Sequence, residues 1–146
     1  MGTIPALLAA LVLLSGPPSQ AGVSQNNSAC PTSTPVQDRP PDDAHSSTFA
    51  SPNGTWYAND NRTIWAWWCG KTSTDGYKVL WVRPVRARLK ISGRRLEADA
   101  PALTAWVPGG YHYSFQASGI TFPTDGCWEI TASAGDARLK FVVRVP

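Results

Sequence analysis

The sequence predicts an all-β protein, an antiparallel sandwich of about seven or eight short strands. From Thr55 onward, apolar residues alternate with polar ones or form short runs bounded by Gly, Pro, Asn and Asp, which is the pattern of strands. No window shows the period of about 3.6 residues that an amphipathic helix requires. Thirteen Pro, twelve Gly and seven Trp among 146 residues also disfavour a helical bundle.

Eight segments carry the strand pattern, and turn residues such as Asp75-Gly76 separate them. In chain order, the predicted strands are residues 55–58, 63–69, 77–82, 86–92, 103–107, 111–116, 127–133 and 138–145. The last two form the clearest hairpin, since Trp128 and Ile130 share an apolar face while Glu129 points the other way. One apolar and one wetted face is what two packed sheets require.

The residues before the strands divide into two segments. Residues 4–14 form an apolar run broken only by Pro5, and Ser19-Gln20-Ala21 follows with the small residues that signal peptidase reads. Although no charged residue precedes Leu14, we expect residues 1–21 to be a signal peptide, and the alternative is an uncleaved N-terminal anchor. Residues 22–50 are rich in Ser, Thr and Pro, which predicts a tether, and residues 51–146 form one β-sandwich domain.

The approach to the seventh predicted strand resembles an immunoglobulin-like domain. Pro123-Thr124-Asp125-Gly126 precedes Trp128 and Ile130, and in immunoglobulin-like domains an aromatic residue follows a similar corner at strand F. Trp128 stands where those domains place a Tyr, and Ile130 where they place the core Cys. The resemblance implies an immunoglobulin-like antiparallel sandwich, and a fold by itself implies no function.

A second resemblance covers about residues 86–145. The runs 91–96, 100–103, 109–120 and 122–130 are similar to an uncharacterised family of small secreted bacterial proteins, and Cys30-Pro31-Thr32 matches part of that family's opening. The resemblance implies export, and it carries over no catalytic residue. Together with the predicted signal peptide, this resemblance leads us to expect a secreted or periplasmic chain with no transmembrane segment after the signal peptide is removed. We also expect a monomer.

Three cysteines in an exported chain allow one internal disulfide and one leftover thiol. On the residues alone, Cys69–Cys127 is attractive, because both lie at predicted strand ends and such a bond would bridge two sheets. The family resemblance implies Cys30–Cys127 instead, since these cysteines match the family's Cys-Pro opening and Gly-Cys-Trp corner. We prefer the pairing that the resemblance implies, and we expect the spare cysteine to be a buried thiol.

The sequence contains no motif of a known catalytic centre. Ser118 lacks the Gly-x-Ser-x-Gly elbow of a nucleophile, and the only histidines, His45 and His112, are isolated. Metal ligands do not recur at ligand spacing, and the acidic residues fall in turns or at exposed strand positions. We therefore expect no enzyme, no catalytic residue, no metal and no cofactor.

The most basic region suggests a candidate anion patch. Arg86, Arg88 and Lys90 share one face of the fourth predicted strand. The simplest interpretation is a solvated face whose charges discourage edge-to-edge pairing. The alternative is a patch for an anionic envelope polymer or an acidic protein. A net charge of +3 is too small to indicate a nucleic-acid partner.

The tryptophans suggest a candidate ligand patch. Trp65 and Trp67 share one face of their strand, and Trp81 shares a face of the next strand with Tyr77 and Val79. A sandwich buries only one face of each strand, so Trp65, Trp67 and Trp81 are candidates for an exposed patch that binds a protein or an envelope glycan. The interpretation that we favour is that the tether or a loop covers this face, which pinning through Cys30 would support.

These observations together favour a secreted non-catalytic binding or envelope-interaction module. The first alternative is a secreted peptidase inhibitor that presents the loop at residues 107–111 or 71–76. The second alternative is a small extracytoplasmic enzyme, for which the sequence offers no convergent acids.

Overall fold

A computed structural model describes residues 29–41, 55–72 and 76–146 of the chain. Within these ranges the protein has eight β-strands and no helix. The strands are β1 (Thr55–Ala58), β2 (Trp65–Lys71), β3 (Tyr77–Val82), β4 (Leu89–Arg95), β5 (Thr104–Trp106), β6 (Phe115–Thr121), β7 (Gly126–Ala134) and β8 (Ala137–Val145). The expected signal peptide and much of the expected tether lie outside the described residues.

The strands form two antiparallel sheets. One has five strands in the order β1-β2-β3-β6-β5, and the other has three in the order β4-β7-β8. The prediction of an all-β protein is confirmed, and the arrangement is compatible with a β-sandwich. The β7–β8 hairpin runs in register from Gly126↔Val145 to Ala134↔Ala137, as its alternation predicts.

Two strands begin three or more residues later than the sequence predicts. The fourth strand begins at Leu89 rather than at residue 86, because Arg86 has a φ of 63° and so belongs to a turn. The sixth begins at Phe115 rather than at residue 111. Phe115 pairs with Val82, the last residue of β3, and β3 ends just before Pro84, which has no N–H to donate.

The inner faces of both sheets share one core. Tyr57 of β1 stacks on Phe141 of β8 with ring centroids 4.5 Å apart, and Trp128 of β7 is fully buried. Two indoles keep their N–H groups bonded inside this core. Trp128 Nε1 donates to the Thr124 carbonyl at 3.0 Å, and Trp81 Nε1 donates to Ser118 Oγ at 2.8 Å. Apolar burial with satisfied polar groups stabilises the packing of the two sheets.

Residues 29–41, which we call the strap, cross one open side of the two sheets. Cys30 forms a disulfide with Cys127 of β7. Ser33 bonds Val142 of β8 twice, donating its N–H to the Val142 carbonyl and accepting the Val142 N–H at its Oγ, both at 2.9 Å. Val36 then bridges to Trp56 of β1. The strap therefore links the outer strand of one sheet to the outer strand of the other, so this part of the predicted tether packs on the domain.

Candidate functional site

A polar cleft lies at the end of the molecule where β3 leads into β4. The loop of residues 83–88 forms one wall, and the loop of residues 107–111 forms the other. The cleft has a volume of about 430 Å³, and its lining includes Arg83, Arg86 and Arg88 but no acidic residue. We call it the arginine cleft.

Arg83 is the most unusual member of this cleft. It continues the inward-facing series of β3, which runs through Val79 and Trp81, and it is only 4% exposed. Its guanidinium donates to Gln116 Oε1 at 2.6 Å, to the Pro84 carbonyl at 3.0 Å and to the Tyr111 carbonyl at 3.1 Å. All three acceptors are neutral.

A buried positive charge without a carboxylate is costly, since buried charges are normally paired. Burial lowers the pKa of Arg83 from its ordinary value, yet an arginine remains protonated at neutral pH. Only three of its five N–H groups are used by the bonds described above. The cleft wall therefore presents a desolvated positive charge that an anion would neutralise.

The loop after β3 places two further arginines at the cleft. Ala87 donates its N–H to the Pro84 carbonyl at 3.1 Å, closing a turn in which Arg86 adopts its positive φ. Arg86 and Arg88 are both exposed and line the cleft, whereas Lys90 lies on β4 outside the lining. No ion pair within the described part of the chain engages Arg86, Arg88 or Lys90.

Arg86 and Arg88 belong to the anion patch predicted from the sequence, whereas Arg83 does not. The available signal was the alternation of β3, in which an arginine follows Tyr77, Val79 and Trp81 at an inward position. An arginine in a core series indicates a group that needs special partners.

Trp65 and Trp67 lie on the outer face of the five-stranded sheet together with Trp56. The rings of Trp56 and Trp67 are stacked with centroids 6.2 Å apart, and Trp65 meets Trp56 edge-on at 6.4 Å. Val36 of the strap packs against this tryptophan cluster, and Trp65 is only 3% exposed. The strap thus covers part of the face, as the favoured interpretation holds, and Trp67 remains half-buried.

Trp81 does not belong to this outer face, and its assignment to an exposed patch is wrong. It is 0% exposed and lies in the core. The physical reason is register: Ala66 pairs with Trp81, whereas Trp65 pairs with Val82. Residues that face each other across a ladder share a face of the sheet, so Trp81 lies opposite to Trp65.

A second depression, the aromatic groove, opens beside the tryptophan cluster. It has a volume of about 360 Å³, and Trp65, Val82, Val85, Tyr113 and Arg62 are among the residues that line it. Arg62 lies over the Trp65 ring, with its guanidinium carbon 5.6 Å from the ring centroid, and it forms a 2.9 Å ion pair with Asp38 of the strap. The strap is therefore bonded to one rim of the groove.

The cysteines pair as the family resemblance implies. Cys30 and Cys127 are bonded with their Cα atoms 5.5 Å apart, and the alternative Cys69–Cys127 pair does not form. The free Cys69 is exposed rather than buried, because the β2 ladder shifts register between Trp68 and Gly70. Desolvation raises the pKa of the Cys69 thiol, and the charge of Lys78 and a backbone hydrogen bond with Leu80 partly oppose this.

The remaining candidates from the sequence are His112 and the two loops considered for peptidase inhibition. His112 is exposed, and the described residues contain no group of three His, Cys, Asp or Glu placed to hold a metal. The loop at residues 107–111, considered as an inhibitory loop, is a wall of the arginine cleft. The other such loop, residues 71–76, is described only at its ends. Among the described residues, no helix has the length and hydrophobicity to cross a membrane.

Comparison of the chain with protein families, with curated proteins and with solved structures finds no match. The function is therefore inferred from the geometry and chemistry of the arginine cleft and the aromatic groove.

Proposed function

We propose that this chain is a secreted, non-catalytic binding module whose arginine cleft recognises an anionic group. The observation that carries the proposal is the buried guanidinium of Arg83, whose partners are all neutral. Arg86 and Arg88 add two exposed charges to the same cleft. A guanidinium presents N–H groups in a planar fork that matches carboxylate, phosphate and sulfate oxygens.

The cleft has the dimensions and the environment of a binding site. A volume of about 430 Å³ lies within the range of small-ligand pockets. The buried side of the cleft has a lower effective dielectric than water, which strengthens the attraction between Arg83 and an anion. A binding role also needs no nucleophile, acid–base pair or metal.

We further propose that the two sheets form an immunoglobulin-like sandwich. The order β2-β3-β6-β5 corresponds to the A-B-E-D sheet of constant-type domains, and β4-β7-β8 corresponds to the C-F-G sheet, with β1 as an additional edge strand. The arginine cleft then lies between the B–C and D–E loops. Loops clustered at one end of such a sandwich are the usual place for binding residues.

Two observations support the proposed extracytoplasmic location. Disulfides such as Cys30–Cys127 persist mainly in oxidising compartments. The similarity of residues 86–145 to an uncharacterised family of small secreted bacterial proteins also favours export, and we propose membership of that family.

The anion site is tested with Arg86→Gln/Arg88→Gln and a panel of polyanions. Polygalacturonate, polyglutamate and polyphosphate are titrated at low ionic strength, where exposed charges are least screened. We expect the double variant to lose about tenfold in affinity, the equivalent of one lost charge-assisted contact. The control, Lys71→Gln/Lys78→Gln, removes two exposed charges at the other end of β3 and should change affinity by less than about twofold.

Equal affinity of the two double variants for every polyanion would contradict the proposal. Arg83 is left intact in this test because its side chain contributes to the packing of the core, so a change there would confuse binding with folding.

A further inference from the structure

The aromatic groove and the arginine cleft are neighbours that share Arg83 in their linings. The loops that follow β3 and precede β6 contribute to both. A backbone hydrogen bond from the Arg83 N–H to the Ser114 carbonyl, 3.0 Å long, ties these two loops together. The two depressions therefore adjoin each other at Arg83.

The aromatic groove concentrates exposed apolar surface. Among the described residues, three large apolar side chains are strongly exposed, and two of them, Val85 at 62% and Tyr113 at 68%, line this groove. Below them lie Trp65 and Val82, which are buried. Exposed apolar surface that gathers in one concave place marks an interaction site more often than scattered apolar residues do.

The groove also has a polar rim, to which Arg62, Thr63 and Ser114 contribute. A floor of apolar and aromatic groups with hydrogen-bonding groups at its rim suits a sugar ring, which has a C–H face and a hydroxyl edge. Tyrosine offers the same combination of a flat apolar body and a polar tip. An acidic sugar also carries a negative charge, which the arginines of the neighbouring cleft would bind.

An acidic peptide fits this place less well. Extended peptides commonly bind by adding a strand to an unpaired sheet edge. The two strands that contribute to the groove, β2 and β3, both lie inside the five-stranded sheet and are paired on each side. A peptide would find no backbone ladder here, whereas a glycan needs none.

We infer that the ligand is an acidic polysaccharide, with a sugar ring in the aromatic groove and a neighbouring carboxylate at the arginine cleft. This inference rests on the proposed function and names the class of anion that the site selects. It assigns the specificity to Tyr113 and Val85 and the charge recognition to Arg83, Arg86 and Arg88.

The test compares two polyanions that differ in their rings. Polygalacturonate and polyglutamate both carry one carboxylate per unit, but only the first has sugar rings. We expect the wild-type chain to bind polygalacturonate about tenfold more tightly at equal carboxylate concentration. Tyr113→Ala should remove most of this preference and leave the affinity for polyglutamate unchanged.

The matched control is Trp106→Ala. Trp106 is also 68% exposed but lies on β5, outside the linings of both depressions. It should leave the affinity for both polymers unchanged, and thermal unfolding checks that each variant is folded.

Equal binding of the two polymers by the wild-type chain, or an equal loss for both in Tyr113→Ala, overturns the polysaccharide inference and leaves the anion site standing. Preference for polyglutamate overturns it in favour of an acidic protein partner. Binding of neither polymer nor polyphosphate overturns the anion site as well.

Discussion

The Glu97 carboxylate forms a hydrogen bond with the backbone at the corner where β7 starts. Its Oε1 accepts the Cys127 N–H at 2.7 Å. Desolvation acts to raise the pKa of Glu97, but hydrogen bonds from the backbone N–H groups of Cys127 and of Glu97 itself, with the charges of Arg95 and Arg144, lower it below its ordinary value. The ionised carboxylate is therefore part of the folded structure next to the disulfide.

Glu97→Gln should reduce stability in a pH-dependent way. Because the folded-state pKa is the lower one, the carboxylate stabilises the fold above the unfolded pKa of about 4.3, and this contribution is lost as pH falls through the folded value. We expect the variant to be less stable at neutral pH and equal to the wild type in acid, measured by urea unfolding across pH. Asp99→Asn removes a charge from a nearby exposed position and serves as the control. A difference that does not change with pH would contradict this assignment.

Gly126 occupies a position at the same corner that other residues fit poorly. Its φ is +138°, and an added Cβ would lie 2.5 Å from Arg95 Nε and 2.6 Å from Glu97 Oε1. We expect Gly126→Ala to cost about 1–3 kcal/mol in the free energy of unfolding. Gly109→Ala is the control, because Gly109 has an ordinary φ and no atom within 4 Å of an added Cβ. A similar effect of both changes would show that the corner is not crowded.

Single residues were partly predictable. The sequence placed Trp128 on an apolar strand face, and its indole is buried, because alternation along one strand is a local property. Trp81 was misplaced, since its side of the sheet depends on register with β2, which alternation along β3 does not specify. Arg83 was missed because, although alternation along β3 places it inward, two of its three partners come from β6 and from the loop before it.

The strap covers part of the tryptophan cluster on the outer face of the five-stranded sheet. Val36 contacts the tryptophan cluster, and its N–H donates to the Trp56 carbonyl at 2.8 Å. Composition predicts a tether here because the segment has few large apolar residues. A disulfide and a few bonds to strand edges hold it in place, and the residues that receive those bonds are distant in sequence.

Val36→Asp should detach the strap from the tryptophan cluster. Placing a carboxylate against the indoles costs about 1–3 kcal/mol in the free energy of unfolding. We expect a red-shifted tryptophan emission and faster quenching by acrylamide. Gln37→Asp introduces the same carboxylate at the next, exposed position of the strap and should leave the emission unchanged. An unchanged spectrum in the Val36 variant would mean that the strap does not shield the cluster.

The existence of each strand was predicted more accurately than its first and last residues. All eight predicted segments overlap observed strands, because each has its own alternation and its own turn signals. The errors at β4 and β6 occur where the chain forms the arginine cleft, in loops whose residues 86–88 and 111–114 resemble strand sequence. Local pattern cannot separate a strand from an extended loop that lacks a partner strand.

At the scale of the whole molecule, one disulfide closes a loop that contains most of the domain. Cys30 and Cys127 are 97 residues apart in sequence. Closing a loop of that size removes conformational freedom from the unfolded chain, and the chain-entropy model assigns about 4.7 kcal/mol to a loop of roughly 100 residues. The disulfide therefore stabilises the fold as a whole as well as the strap.

Cys30→Ala/Cys127→Ala should lower the free energy of unfolding by about 2–5 kcal/mol, measured by urea denaturation. Cys69→Ala, which removes the exposed thiol, should change it by less than about 0.5 kcal/mol. Similar stability of the double variant and the wild type would indicate that the strap is held by its hydrogen bonds alone.

The strap also decides how copies of the chain can associate. Its contacts with β1 and β8 interrupt one border of each sheet, and within the described ranges β5 and β4 are the strands left with a partner on a single side. An unpaired border is a template for strand addition from another chain, and the strap leaves two of the four borders in that state. Reduction of the disulfide would loosen the strap and re-expose β1 and β8 as templates for aggregation.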